Sequence, residues 1–162
     1  MKKLCVMMAL ALLLCGCGAE QTLETVADEI VLHVSAQPRE VLLTLPKETL
    51  LPAMETVSGT LYLCDGYDVA VQILDSGDLG ETIRQVSGFG REDLTVIQTL
   101  AGELACYEFV WTAATDIGEE VGRAMILDDG NYHYVLNTSA PAKNAEEYRE
   151  IWNGIFESFG IV

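Results

Sequence analysis

The feature that most limits what this chain can fold into is its first seventeen residues. Met1-Lys2-Lys3 is a short cationic lead, and Leu4 to Leu14 is an uninterrupted apolar run. Such a run falls within the roughly 7–15 residues of a signal-peptide core and short of the ~20 needed to cross a bilayer as a helix. The segment is therefore expected to direct export and not to join the folded domain, and a permanent transmembrane helix is not expected. It closes on Leu14-Cys15-Gly16-Cys17, with a small residue directly before Cys17. Cys15 is preceded by Leu14, too bulky for the position at which a signal peptidase requires a small side chain.

An aliphatic residue at −3, a small residue at −1 and a cysteine at +1 resemble the lipobox of bacterial lipoproteins. The resemblance covers only the first eighteen or so residues. It implies cleavage before Cys17, a thioether-linked diacylglycerol on that cysteine, and often a third acyl chain on its amine. One myristoyl chain binds membranes only marginally, at ~0.8 kcal/mol per buried CH₂, whereas two or more long chains hold a protein essentially permanently. The expected layout is a signal peptide over 1–16, a lipidated Cys17 with a polar, acidic leader over 17–28, and one domain over 29–162, facing the extracytoplasmic side of a bacterial membrane.

Removing 16 of the 162 residues leaves 146, enough for one domain with a real core and too few for two. A two-lobed solute-binding lipoprotein needs roughly twice this length. Losing Lys2 and Lys3 leaves seven basic residues against 25 acidic ones, a formal charge of −18. Nucleic acid and anionic headgroups would be repelled, so no nucleic-acid partner is expected. A basic protein partner or a cation remains compatible with this charge, and so does plain solubility beside a like-charged surface.

Of the five cysteines, Cys5 and Cys15 leave with the signal and Cys17 carries lipid, so the domain keeps Cys64 and Cys106. Outside the cytoplasm these two can form a disulfide. In apolar, strand-like runs they can equally stand as buried small hydrophobes. They lack the spacing and the nearby histidines of a zinc site.

From Ile30 the apolar spacing becomes two, so a strand is expected over 30–34, followed by a short strand over 41–45 that Pro46 stops. Asp65-Gly66-Tyr67 predicts a hairpin between Gly59–Cys64 and Asp68–Leu74. Asp78 with Glu81 three residues on has the pattern of a capping box, opening a helix whose apolar stripe is Leu79, Ile83 and Val86. Strands are expected at 94–100 and 104–113, the second apolar on both faces and so covered twice. A turn at Gly118 to Glu120 and strands at 121–127 and 132–138 follow, the latter two joined by Asp128-Asp129-Gly130-Asn131. A terminal helix is expected after Pro141, with Asn144 as its cap and Glu147 at N3. Its stripe is Tyr148, Ile151, Trp152, Ile155, Phe156 and Phe159, and Gly160 stops it.

These elements describe an α+β fold: a mainly antiparallel sheet with a short helix and a C-terminal amphipathic helix packed on it. Leu43-Thr44-Leu45-Pro46, the meander and the ending Ile155-Phe156-Glu157-Ser158-Phe159 resemble the PsbP-like fold. The resemblance implies a non-catalytic accessory domain that binds another protein, and it carries over no functional residue.

No catalytic constellation stands out, and no enzyme, metal or cofactor is expected. The mature chain holds only His33 and His133 as imidazole bases. Ser87-Gly88-Phe89-Gly90 lacks the first glycine of a nucleophile elbow, and Ser139 and Lys143 miss the S-x-x-K spacing. The loops at 128–131 and 75–78 offer carboxylates without the spacing or terminal glutamate of an EF-hand. The competing readings are a small hydrolase working through Ser87 or His133, and a small-ligand carrier. The first needs a deep pocket beside either residue. The second needs an apolar cavity between sheet and terminal helix, a space that Trp111 and Trp152 are expected to fill.

Overall fold

The computed structural model describes residues 37–47 and 52–162. The segments expected to be a signal peptide and leader, Cys17, the strand expected at 30–34 and His33 all lie outside the described residues.

Turn chemistry lays out much of the main sheet. Gly66, at φ 85°, joins β3 (Gly59–Leu63) to β4 (Asp68–Asp75). Gly130, at φ 87°, joins β7 (Gly118–Asp128) to β8 (Tyr132–Pro141). A residue with a Cβ is strained at such angles, which is why glycine stands at both turns. The remaining strands are β1 (Val41–Leu42), β2 (Met54–Thr56), β5 (Ile97–Ala101), β6 (Leu104–Thr115) and β9 (Gly160–Ile161). The α-helices among the described residues are α1 (Leu79–Ser87) and α2 (Ala145–Ser158).

Seven strands pair antiparallel in the order β2-β3-β4-β8-β7-β6-β5, while β1 and β9 form a small separate ladder. The central pairing, β4 with β8, sets Val71 opposite Leu136 and draws together strands far apart in sequence. Because side chains alternate, the sheet has two apolar faces. On one, Val69, Cys106, Leu127, Tyr134 and Leu136 share a core with Trp152, Ile155 and Phe156 of α2. On the other, Phe109, Trp111, Ala124, Ile126 and Val135 share a core with Ile83 of α1. Each valine, leucine, isoleucine or phenylalanine among them contributes roughly 1.5–3 kcal/mol on removal from water. β6 serves both cores, through Cys106 and Phe109, as its two-sided apolar pattern implies.

Several details differ from expectation. Trp111 and Trp152 do not fill one space: they lie in different cores, because position 111 has the opposite parity to Cys106 along β6. Trp152 packs beneath α2, and Trp111 lies across Gly122 with its indole N–H donating to Asn137 Oδ1 at 3.2 Å. Asp78 caps α1 by accepting from Gly80 N at 2.7 Å, but Glu81 turns to Arg84, 3.4 Å away. Asn144 stands at the α2 N-cap with helical angles and no side-chain cap bond. The strand expected from Leu94 begins at Ile97: Leu94 instead caps a 3₁₀ turn over Arg91–Asp93, its N–H donating to Arg91 O at 3.4 Å. Strand β7 already starts at Gly118, so the turn before it falls on Asp116 and Ile117. Beyond Leu42 the chain leaves the ladder, yet Leu43 and Leu45 still pack on the α2-side core.

Cys64 and Cys106 do not form a disulfide. Cys64 follows β3 and Cys106 lies in β6, with β4, β8 and β7 between them. Four strand spacings amount to roughly 19 Å. The two also sit toward opposite ends of the strands, since Cys106 is in register with Leu127, Tyr134 and Ile73, whereas Leu63 is in register with Asp68. A disulfide needs Cα atoms within about 7 Å.

Candidate functional site

The chain enters the domain at one end of the sheet. Tyr134, fully buried in β8, accepts from Arg39 N at 2.8 Å and donates to Asp129 Oδ2 at 3.0 Å. Asp129 Oδ1 accepts from Asn131 N and Tyr132 N, and Arg39 Nε lies 3.7 Å from Oδ2. Burial alone would raise the Asp129 carboxyl, but these hydrogen bonds and the guanidinium together hold it below the ordinary carboxylate range. The acidic hairpin is thus an anchor for the entering chain. Its oxygens are engaged in the turn, and no cluster suited to a metal ion occurs among the described residues.

His133 lies beside this anchor, 1% exposed, with Thr82 Oγ1 2.7 Å from its Nδ1 and Asp128 Oδ2 3.7 Å from its Nε2. The order hydroxyl, imidazole, carboxylate has the outline of a nucleophile with its base and orienting acid. Both Thr82, on the inner face of α1, and His133 are buried, however, and His133 lines neither of the two main hollows. The trio ties α1 to β8. Ser87 is not part of it: its Oγ donates to Ile83 O at 2.8 Å and accepts from Phe89 N at 3.1 Å, closing the last turn of α1. Ser87 also lines neither hollow.

The larger hollow, about 570 Å³, opens at the other end of the sheet. Three turns build it: the β3–β4 turn, the β6–β7 turn, and the link from β8 into α2. Tyr67, mostly buried, packs against Tyr148 with ring centroids 4.9 Å apart and planes tilted by 40°, and Gly66 leaves room for the Tyr148 hydroxyl where a Cβ would collide with it. Ala142 N donates to Glu119 O at 2.8 Å and fixes the link against β7. Asp68, Glu119 and Glu120 line the hollow with Lys143, and Ile117 stands 96% exposed at its rim. Burial, and then the charge of Glu120, push the Asp68 carboxyl above its ordinary value. Among the described residues no salt bridge engages Asp68, Glu119 or Glu120.

No contiguous stretch of sequence marks this hollow. Its carboxylates come from Asp68, which follows a turn, and from Glu119-Glu120, which follow another. Only the pairing of β4 with β8 and of β8 with β7 makes them neighbours. Asp65-Gly66 and Gly118 marked the turns but not their convergence.

A sheet with a helix on each face, closed by a small terminal ladder, defines the class: an α+β sandwich. No family model matches the chain, and no curated protein matches it in sequence. Among solved structures it is similar to LpqN of Mycobacterium tuberculosis, a protein involved in cell envelope biogenesis. The two share 11% identity over 80% of this chain and 87% of that one, with a TM-score of 0.56. Cyanobacterial PsbP from Synechocystis is similar at 7% identity over 78% of this chain and 95% of that one, TM-score 0.54. The Ran-binding protein Mog1p of Saccharomyces cerevisiae is similar at 8% identity over 75% and 90%, TM-score 0.50. At these identities the likeness is one of fold, and the fold is PsbP-like as the sequence pattern implied.

Proposed function

We propose that the chain is a lipid-anchored, extracytoplasmic binding or accessory domain without catalytic activity, and that it receives a basic side chain of a protein partner in the acidic hollow. The single observation that carries this reading is the hollow itself. An opening lined by three carboxylates and one lysine, with an aromatic wall and an exposed isoleucine on its rim, suits a cationic, partly apolar protuberance. The hollow lies at the opposite end of the sheet from Arg39, so a partner there would not compete with a tether. Two proteins of similar structure, one involved in cell envelope biogenesis and one Ran-binding, are compatible with such a role. In this reading residues 1–16 are a signal peptide, Cys17 carries the lipid, 17–28 form the leader and 29–162 the domain. No helix among the described residues is long and apolar enough to cross a membrane.

Two measurements test it. Metabolic labelling with an alkyne-bearing palmitate analogue is expected to mark the wild type and not Cys17→Ala. Label on both, or on neither, overturns the anchor. Titration of the protein with trilysine, followed by NMR, is expected to shift the amides of Asp68, Ile117 and Glu120, with weakened binding in Glu120→Gln. Shifts confined to other surfaces overturn the hollow as the binding site.

A further inference from the structure

Both edges of the seven-stranded sheet end in short strands, β2 and β5, and the two differ in chemistry. Strand β5 is exposed along its whole length, with Ile97 59% and Leu100 74% accessible. These two side chains project to opposite faces, Ile97 in register with Glu108 and Leu100 with Ala105. From Thr95 to Gly102 the chain carries no charge, in a molecule with 25 acidic residues. An edge strand presents unpaired N–H and C=O groups, and proteins commonly protect such edges with charge, proline or a bulge. None of these interrupts β5.

We infer that β5 pairs antiparallel with β5 of a second copy of this chain, about a two-fold axis passing through Thr99. That register sets Ile97 opposite Ala101 of the copy, Thr99 opposite Thr99, and Gln98 opposite Leu100. Each large apolar side chain meets a partner that can cover it without a clash of charge. The other edge does not permit the same pairing: β2 is Met54-Glu55-Thr56, and a two-fold through its centre opposes Glu55 to Glu55. Acidic copies repel one another at long range, but that repulsion is screened beyond about 8 Å at physiological salt, so the contact must itself be uncharged. A single five-residue ladder is small beside the ~1,200–2,000 Å² of stable interfaces, so the dimer is weak in dilute solution and forms where the local concentration is high. The acidic hollow, built on β4, β7 and β8, stays open in it.

The two-fold gives a register-specific test in cells expressing the full chain. Thr99 faces Cys106 across the β5–β6 ladder, so the test starts from Cys106→Ala, or from Cys106→Ser should the alanine variant fail to fold. In that background Thr99→Cys places two thiols across the axis, where opposed Cα atoms lie about 4.5–5.5 Å apart, inside disulfide range. Mild oxidation is expected to give a covalent dimer on a non-reducing gel. Ile97→Cys places its thiols four residues out of register and is expected to give none. Adding Leu100→Glu to Thr99→Cys is expected to lower the dimer yield at least tenfold, with thermal melting of the purified variants confirming that they remain folded. A monomeric Thr99→Cys overturns the pairing, and so does equal crosslinking by Ile97→Cys. Capture of a different protein by Thr99→Cys overturns the second copy as the occupant.

Discussion

The residue with most to hold is Asp129. Its side chain is 5% exposed and takes two backbone amides and the Tyr134 hydroxyl, with Arg39 alongside. Tyr134→Phe removes the donor to this carboxylate and the acceptor for Arg39 N together, in a buried site. We expect a loss of about 1–3 kcal/mol, read from urea unfolding at pH 7. The pH dependence follows from the depressed carboxyl. A group whose folded pKa lies below its unfolded value contributes stability that is present in full above the unfolded value, 3.8, and is lost as pH falls from there through the folded value. Asp129→Asn is therefore expected to lower stability at pH 6 and to flatten the acid limb below pH 4. An unchanged limb would show that other carboxylates govern acid unfolding. The sequence showed Asp128-Asp129-Gly130-Asn131 as a turn, but not that one of its carboxylates would clasp the entering chain, because Arg39 is brought there only by tertiary structure.

At the scale of elements, what is local was legible and what is long-range was not. The Asp65-Gly66 and Asp128 to Asn131 hairpins and the Asp78 cap are each written in a few contiguous residues, since a turn or cap is satisfied by its neighbours. The pairing of β4 with β8 leaves no such mark, and neither does the parity that sends Trp111 and Trp152 to different cores. Cys64 and Cys106 looked equivalent in sequence, both in apolar runs, and only strand order shows that they cannot meet. The same parity explains Gly122. It lies opposite Trp111 in the β6–β7 ladder, and a Cβ there would run into the indole ring. Gly122→Ala is expected to destabilise the domain by about 1–3 kcal/mol and to red-shift or broaden the emission of Trp111. A neutral effect on both would mean that the indole has another place to lie. On the opposite face Arg123 joins the sheet to α2, donating to Glu108 Oε2 at 3.0 Å and to Asn153 Oδ1 at 2.9 Å with its guanidinium 4.3 Å from the Phe156 ring centre. These contacts bind the two layers by polar and cation–π bonds beside the buried Phe156.

At the scale of the molecule, charge is treated differently at the two ends of the sheet. At the entry end a buried carboxylate is fully partnered, while at the hollow Asp68 and Glu120 crowd each other with no salt bridge to either among the described residues. Carboxylates held together in this way cost folding stability, and a site that keeps them invites a cation from outside. The sign for Asp68 is opposite to that for Asp129. Its folded pKa lies above 3.8, so it costs nothing below 3.8, and stability is lost as pH rises from there through the folded value. Glu120→Gln removes the neighbouring charge that contributes to that shift. We expect the variant to melt a few degrees above the wild type at pH 7, the gap to close below pH 3.8, and its affinity for trilysine to fall several-fold. A variant that gained stability yet bound the peptide as well as the wild type would separate the two effects, leaving the crowded carboxylates as a feature of folding alone and removing the hollow from the binding surface.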